Sequence, residues 1–311
     1  NDITAATTVK HLSTYDISKA QISVPPLNQQ RKIARILTTV DNLIEQTEAL
    51  IEKYKSIKQG MMHDLFTRGV DSTGQLRPPY EDAPHLYKES PLGWIPKEWE
   101  AKLLIDIASY QTGNAFPSAD YGEEGIRLLR PGNLQVDEYV QWDNGHTTFL
   151  PLKWRTQANE YLLSGGEIVM NLTAQSLEDQ FLGRVSLTPL GTESLLNQRI
   201  AKIRPRSCDH GFLFWAFKGP QFRFQVDRLT QGTKVQHIYN SNLNAIGIAI
   251  PAKQHEQKEI AQRLFTITNQ IRREVESRKK LQLQKTGLMQ DLLTGKVRVE
   301  VDEAEEVTAD V

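Results

Sequence analysis

Four short runs of this chain combine the side chains that can read the edges of base pairs. They are Arg127, Arg130 and Asn133; Asn171, Thr173 and Gln175; Asn197, Gln198 and Arg199; and Gln231, Gly232, Thr233, Lys234, Gln236 and His237. Asn and Gln carry a donor beside an acceptor and match adenine, the Arg fork matches guanine, and Lys and Thr steady phosphates. Each residue taken singly also serves as a loop-stabilising side chain. The signal is therefore their concentration and their setting. From Leu196 to Ile250 the chain has eight basic residues (Arg199, Lys202, Arg204, Arg206, Lys218, Arg223, Arg228, Lys234) against two acids, Asp209 and Asp227, although the net charge over 311 residues is only −1. From Glu300 onward there are six acids and no base. A basic, aromatic-rich stretch beside an acidic end fits a polyanion binder with a solvating flank, and it fits a merely solvated face equally well.

Other chemistry finds no constellation. There is no Gly-x-x-x-x-Gly-Lys-Ser/Thr loop and no Gly-x-Gly-x-x-Gly fingerprint. The histidines at 11, 63, 85, 146, 210, 237 and 255 are scattered rather than spaced as metal ligands, and no metal is expected. Arg77-Pro78-Pro79-Tyr80 resembles the Pro-Pro-aromatic turn of amino-methyltransferases, but that turn needs Asn or Asp in front to accept from the target amine, which Arg77 cannot do. The single cysteine, Cys208, rules out a disulfide framework and suits a reducing cytosol. No apolar run reaches the roughly 18 residues of a membrane helix. No catalytic residue is assigned.

The elements that must position the candidate readers follow from a repeat. Ile22 to Phe66 and Ile248 to Leu293 are copies: Pro25 matches Pro251, and after one inserted residue Ile33 matches Ile260, Lys58 matches Lys285, Gly60 matches Gly287, Met62 matches Met289 and Asp64 matches Asp291. The offset of 226 to 227 residues is far longer than a solenoid unit of about 20–50, so whole modules are repeated. Similarity continues upstream, where Thr7 to Leu12 match Thr233 to Ile238, so the chain is expected to start within the last part of a module, as a fragment or a half-length form.

Each copy predicts a long helix after a proline, which is tolerated where its missing N–H would be unpaired anyway. The first carries Ile33, Ile36, Val40, Leu43, Thr47, Leu50, Tyr54, Ile57 and Met61 at alternating steps of three and four, a heptad seam. The second keeps Ile260, Leu264, Ile267, Ile271, Leu281, Leu288 and Leu292, with polar residues at Arg263, Gln270, Ser277 and Arg278. The two are expected to pack on each other, antiparallel.

Between them, residues 92–247 read as a globular module. Candidate strands are Gly125 to Leu129, Tyr139 to Trp142, Glu167 to Leu172, Gly183 to Leu187 and Ile200 to Arg204; candidate helices are Phe212 to Phe217 and Gln221 to Leu229. The expected fold is α+β: a small twisted β-sheet in a recognition module, plus two long helices as an antiparallel coiled coil. The full division is 1–24 (end of a first module, with a strand at Ala20 to Val24), 25–68 (helix), 69–91 (semi-extended proline-rich linker), 92–247 (module), 248–299 (second helix) and 300–311 (acidic disordered tail).

Six segments in this order resemble one known family: PLGWIPKEWE (91–100), GIRLLRPGNL (125–134), LLNQRIAKIRP (195–205), QGTKVQHI (231–238), IPAKQHEQKEIAQRL (250–264) and GLMQDLLTGKVRV (287–299). The chain is similar along its length to the specificity subunit of Type I restriction-modification systems. The resemblance implies two target-recognition domains, each binding half of a bipartite asymmetric site on double-stranded DNA, with two conserved helical regions packed antiparallel between them. It implies a non-catalytic chain that takes no cofactor itself. Methylation subunits would hold S-adenosylmethionine, motor subunits would hydrolyse ATP, and a half-length form would self-associate. Two other classes compete. A coiled-coil adaptor would bind protein only, and a self-contained DNA methyltransferase would need a cofactor-binding half for which the chain has no motif.

Overall fold

The computed structural model describes residues 24–143, 145, 147–174, 181–229 and 236–300. The strand expected at Ala20 to Val24 lies outside them but for its last residue, as do Gln175, Gln231 to Lys234, the side chain of Gln236, and the tail beyond Glu300. The chain divides into two units, Asn1–Tyr54 with Gln270–Val311, and Lys55–Asn269.

Helix α1 follows Pro25 and Pro26 at once over Leu27–Thr67, 41 residues or about 60 Å at 1.5 Å each. Gln30 steadies its start by donating from Nε2 to the Pro25 carbonyl at 2.7 Å. At its far end Gly69 turns left-handed at φ 62°, and its N–H reaches back to the Asp64 carbonyl at 3.3 Å. The apolar residues of α1 come in doublets, Ile36-Leu37, Leu43-Ile44 and Leu50-Ile51, so the sequence permits two seams. The one buried includes Ile33 (8% exposed) and Ile51 (2%), whereas Leu43 and Ile57 remain 44% and 40% exposed. Ile33 belongs to the heptad reading, and Ile36, Val40, Leu50 and Tyr54 of that row are half-buried, as are Leu37 and Ile44 of the other; the row departs from expectation at Leu43 and Ile57.

Residues 69–91, read from sequence as a semi-extended linker, carry buried groups of their own. Val70 and Ala83 are enclosed, Val70 bridges Leu76, and Tyr87–Ser90 (β1) pairs antiparallel with Gly93–Pro96 (β2). Arg77 lies inward. Its Nη1 and Nη2 donate to Glu256 Oε1 and Oε2 at 2.6 and 3.1 Å, and Nη2 also reaches Glu98 at 2.8 Å. Glu256 Oε1 accepts further from the Val70 N–H (3.1 Å) and the Trp99 indole N–H (2.9 Å). Burial works against the Arg77 charge, but the hydrogen bonds and charge of Glu256, joined by Glu98, outweigh it and raise its pKa.

The module's strands continue as β3 (Trp99–Leu103), β4 (Ala108–Thr112, after the short helix α2, Leu104–Ile107), β5 (Ile126–Leu129), β6 (Thr148–Leu150), β7 (Leu162–Leu163, after α3, Lys153–Gln157), β8 (Ile168–Asn171), β9 (Thr173–Ala174), β10 (Val185–Leu187), β11 (Ser194–Leu196) and β12 (Ile200–Pro205). Two four-stranded sheets result, ordered β10-β8-β12-β4 and β6-β5-β11-β7. The first is antiparallel throughout; in the second, β5 and β11 run parallel, Leu129 beside Leu196. Tyr139 to Trp142, expected as a strand, contributes one bridge, Tyr139 to Leu187. Helices α4 (His210–Ala216) and α5 (Pro220–Leu229) follow, then β13 (Gln236–His237), α6 (Asn240–Ala245) and β14 (Gly247–Pro251). Asp209 caps α4 by accepting from the Phe212 N–H at 2.9 Å. β14 pairs with β3, so the last strand of the module lies on its first long one. The main core joins Trp99, Phe212, Phe214 and Trp215 to Leu65 and Phe66 of α1.

Helix α7 spans Gln254–Leu293. Ile260 and Leu264 are fully buried in the module's core, and Leu292 is buried; Ile267, Ile271, Leu281 and Leu288 are half-buried. Its start copies that of α1: Gln257 Nε2 donates to the Pro251 carbonyl at 2.7 Å, while its Oε1 accepts from the Asp209 N–H at 2.6 Å. In the first unit, Glu48 faces Arg278 at 3.7 Å and Asp41 faces Lys285 at 2.5 Å. Seven residues back along one helix correspond to seven forward along the other, so the pair is antiparallel. Arg278, a polar residue on the α7 seam, is used in this pairing.

Candidate nucleic-acid interface

Backbone hydrogen bonds gather the described parts of all four candidate runs at one rim of the module. The parallel strands β5 and β11 end together, and the Asn197 N–H donates to the Leu129 carbonyl at 3.2 Å, which sets Arg130 beside Asn197. The Leu172 N–H donates to the Arg199 carbonyl, and the Ile238 N–H to the Leu172 carbonyl, both at 2.9 Å. The β9–β13 pair places Thr173 opposite His237. A residue outside the four runs belongs to the same rim. The Asn114 N–H donates to the Leu196 carbonyl (2.9 Å), and the Asn114 carbonyl accepts from the Gln198 N–H (3.1 Å). The only sequence signal for it was a Thr-Gly-Asn at the end of a strand. The glycine is required there, because a Cβ on Gly113 would collide with the carbonyl oxygens of Leu196 and Asn197.

Side chains on the rim differ in what already occupies them. Asn133 and Asn171 are both fully buried. Asn133 accepts from the Arg130 N–H (2.9 Å) and donates to the Gln141 carbonyl (3.2 Å); Asn171 donates to the carbonyls of Thr173 (2.7 Å) and Phe181 (2.9 Å). These two amides shape loops from within. Asn197 is 5% exposed and accepts from the Arg199 N–H at 3.3 Å. Arg127 lies over the Trp142 ring at 5.7 Å. Arg130 is exposed, sits over the Tyr121 ring at 5.5 Å and donates to Thr148 Oγ1 at 3.0 Å. Thr173 is half-exposed, and His237 packs edge-on against Tyr239 at 4.6 Å, with burial lowering its pKa. Gln198 and Arg199 are exposed to solvent at the crest of the rim.

The basic stretch is also more occupied internally than its composition implies. Arg204 pairs with Glu167 at 2.7 Å and Arg223 with Asp227 at 2.8 Å. Lys202 is buried 3.9 Å from Glu167, and desolvation lowers its pKa despite that charge. Lys218 lies 4.0 Å from Glu138, which also pairs with Lys58; burial pushes the Lys218 pKa down to about 8, more than Glu138 can offset. Arg199, by contrast, faces solvent. No group of three or more His, Cys, Asp or Glu suited to a metal ion occurs among the described residues, and no described helix is long and apolar enough to cross a membrane.

A rim that carries exposed Arg130, Gln198 and Arg199, on an α+β module that lies between two long helices in the sequence, is a specific combination. A family model described as the Type I restriction modification DNA specificity domain matches residues 1–55 and 96–284. This chain belongs to that family. Members it resembles include the Type I restriction enzyme MjaVIII specificity subunit of Methanocaldococcus jannaschii, 29% identical over 298 residues that make up 95% of this chain and 66% of that protein. A second specificity subunit of that organism, putative MjaX, is 28% identical over 94% of this chain and 61% of its own length. The chain thus spans less than two thirds of the length of these family members. In fold it is like the S subunit of the Type I restriction-modification system of M. genitalium, with a TM-score of 0.54 over 89% of this chain and 62% of that one at 15% identity.

Proposed function

We propose that this chain is the sequence-reading subunit of a Type I restriction-modification assembly. Its module reads one half of a bipartite, asymmetric site on double-stranded DNA. The observation that carries the reading is the convergence of the exposed side chains of Arg130, Gln198 and Arg199 on one rim, in a family defined by DNA specificity. The chain is non-catalytic in this reading. Methylation subunits that hold S-adenosylmethionine dock on the helices and modify adenine, motor subunits hydrolyse ATP for restriction, and the assembly works in the cytoplasm. A second module, from a longer chain or a second copy, reads the other half-site. The antiparallel helices act as a ruler between the two readers.

The test is co-expression with the methylation subunit encoded beside it, followed by mapping of methylated adenines. Methylation at the same positions with and without this chain would refute the reading. The ruler has its own test. Matched insertions of four residues beside Thr47 and Lys279, roughly 6 Å of helix, should lengthen the unread spacer by one or two base pairs at about 3.4 Å each. An unchanged spacer sinks the ruler. Absence of any salt-dependent DNA binding would favour a protein-only adaptor.

A further inference from the structure

The rim ends in a turn whose two tip side chains are exposed and, among the described residues, unengaged. The Ile200 N–H donates to the Asn197 carbonyl at 3.0 Å, closing a four-residue turn with Gln198 and Arg199 at its central positions. Asn at the first position of such a turn accepts from the backbone two residues on, as Asn197 Oδ1 does here from the Arg199 N–H at 3.3 Å. The Gln198 N–H is held by the Asn114 carbonyl, and the Arg199 carbonyl by the Leu172 N–H. On either side the chain is anchored: Leu195, Leu196, Ile200 and Ala201 are all fully buried. Neither Gln198 nor Arg199 makes a side-chain hydrogen bond or ion pair among the described residues, in contrast to Asn133, Asn171, Asn197 and Arg130. The backbone of the tip is fixed by four hydrogen bonds, while its two polar side chains are exposed and without a bond among the described residues.

We propose that the Asn197–Ile200 turn is the base-reading tip of the module, and that Gln198 reads an adenine and Arg199 a guanine at neighbouring base pairs in the major groove. The inference rests on the DNA-reading function above and names residues that perform it. A turn whose ends lie within about 7 Å of each other fits a groove about 12 Å wide. Gln presents the donor–acceptor pair that matches adenine N7 and N6, and Arg the fork that matches guanine O6 and N7. A pre-fixed backbone means that few degrees of freedom are lost on docking, and a misplaced base cannot be accommodated by the loop shifting. Asn197 and Asn114 are positioning residues: they hold the tip and make no base contact.

The experiment is enrichment of sequences from a randomised pool of duplex DNA by the purified full chain, alongside R199A, R199K, Q198A and Q198E, with melting temperatures confirming that each variant is folded. The wild-type chain should enrich a motif with adjacent adenine and guanine. R199A and R199K should each lose discrimination at the guanine by about 10- to 100-fold, with binding to unrelated duplex little changed. Q198A should relax the adenine position alone. Q198E should shift that position towards cytosine, whose N4 amine donates to a carboxylate, a gain that misfolding cannot produce. An unchanged motif in all four variants overturns the proposal, as does uniform weakening on every duplex with preference intact, the mark of a phosphate contact. Enrichment of nothing by the wild-type chain overturns the DNA-reading function itself, a separate result.

Discussion

Removing Glu256 should expose how strongly the module is fastened to the ends of both helices. Its carboxylate takes two hydrogen bonds from Arg77, one from the Trp99 indole and one from the Val70 backbone, and the Arg77 and Glu256 side chains are only 8% and 6% exposed. Truncating one partner of a buried pair costs about 3–5 kcal/mol, because the other charge is left enclosed without compensation. In E256A the Trp99 and Val70 donors are stranded as well, at roughly 1–3 kcal/mol each. R77A leaves those two donors bonded and should be the milder change, at about 3 kcal/mol. The double variant R77A/E256A carries no orphan charge, so it should be little worse than E256A alone, and the coupling from the cycle should be on the order of 3 kcal/mol. Glu98 is half in water, and E98A should cost under about 1 kcal/mol. Urea unfolding followed by tryptophan fluorescence gives all four corners, since Trp99 sits in the cluster. A coupling below about 0.5 kcal/mol, the size of a surface pair, would refute the reasoning.

The seam register can be tested by contrast: I51A should cost about 2–4 kcal/mol and L43A under about 1 kcal/mol, and equal losses in thermal melts would mean the other face is buried. Gly60 lies inside α1 with open space where a Cβ would stand, so G60A should stabilise by roughly 0.5–1 kcal/mol. G69A, at φ +62° with Trp99 at 2.5 Å and Arg77 at 2.8 Å from the added carbon, should destabilise by more than about 2 kcal/mol; the same sign for both glycines in melting experiments would contradict the local geometry. Lys218 has its folded pKa depressed from 10.5 to about 8, so the unfolded chain binds its proton more tightly. The resulting penalty is fully present below pH 8 and is relieved as the pH rises towards 10.5. Wild type should therefore gain up to about 3 kcal/mol relative to K218M between those limits, and parallel stability profiles would rule this out.

The helices were legible because a duplicated pattern with prolines at its start is a strong local signal. The choice between two adjacent seams was not, since doublets such as Leu50-Ile51 satisfy both and only packing decides. Strands flanked by glycine, such as Ile126–Leu129, were readable, while Ser194–Leu196 and Thr148–Leu150 are three residues long and owe their pairing to partners far off in sequence. At the rim, sequence supplied residue types but not their burial: Asn171 and Gln198 are both amides, and burial alone separates the loop brace from the exposed tip. Asn114 was missed because its part is played by a backbone carbonyl, to which residue type gives no clue. Arg77 looked like a flawed catalytic turn because its partner, Glu256, is 179 residues away.

The pairing of β3 with β14 brings the two ends of the module together, and the Val70–Glu256 bond brings the end of α1 to the beginning of α7. In topological terms the module is an insertion in the turn of a helical hairpin, entering and leaving at one point. The two crossings share one small patch, Val70 beside Glu256 and Trp99 beside Pro251, with the Trp99 indole also bonded to Glu256. A single carboxylate thus ties the way in to the way out.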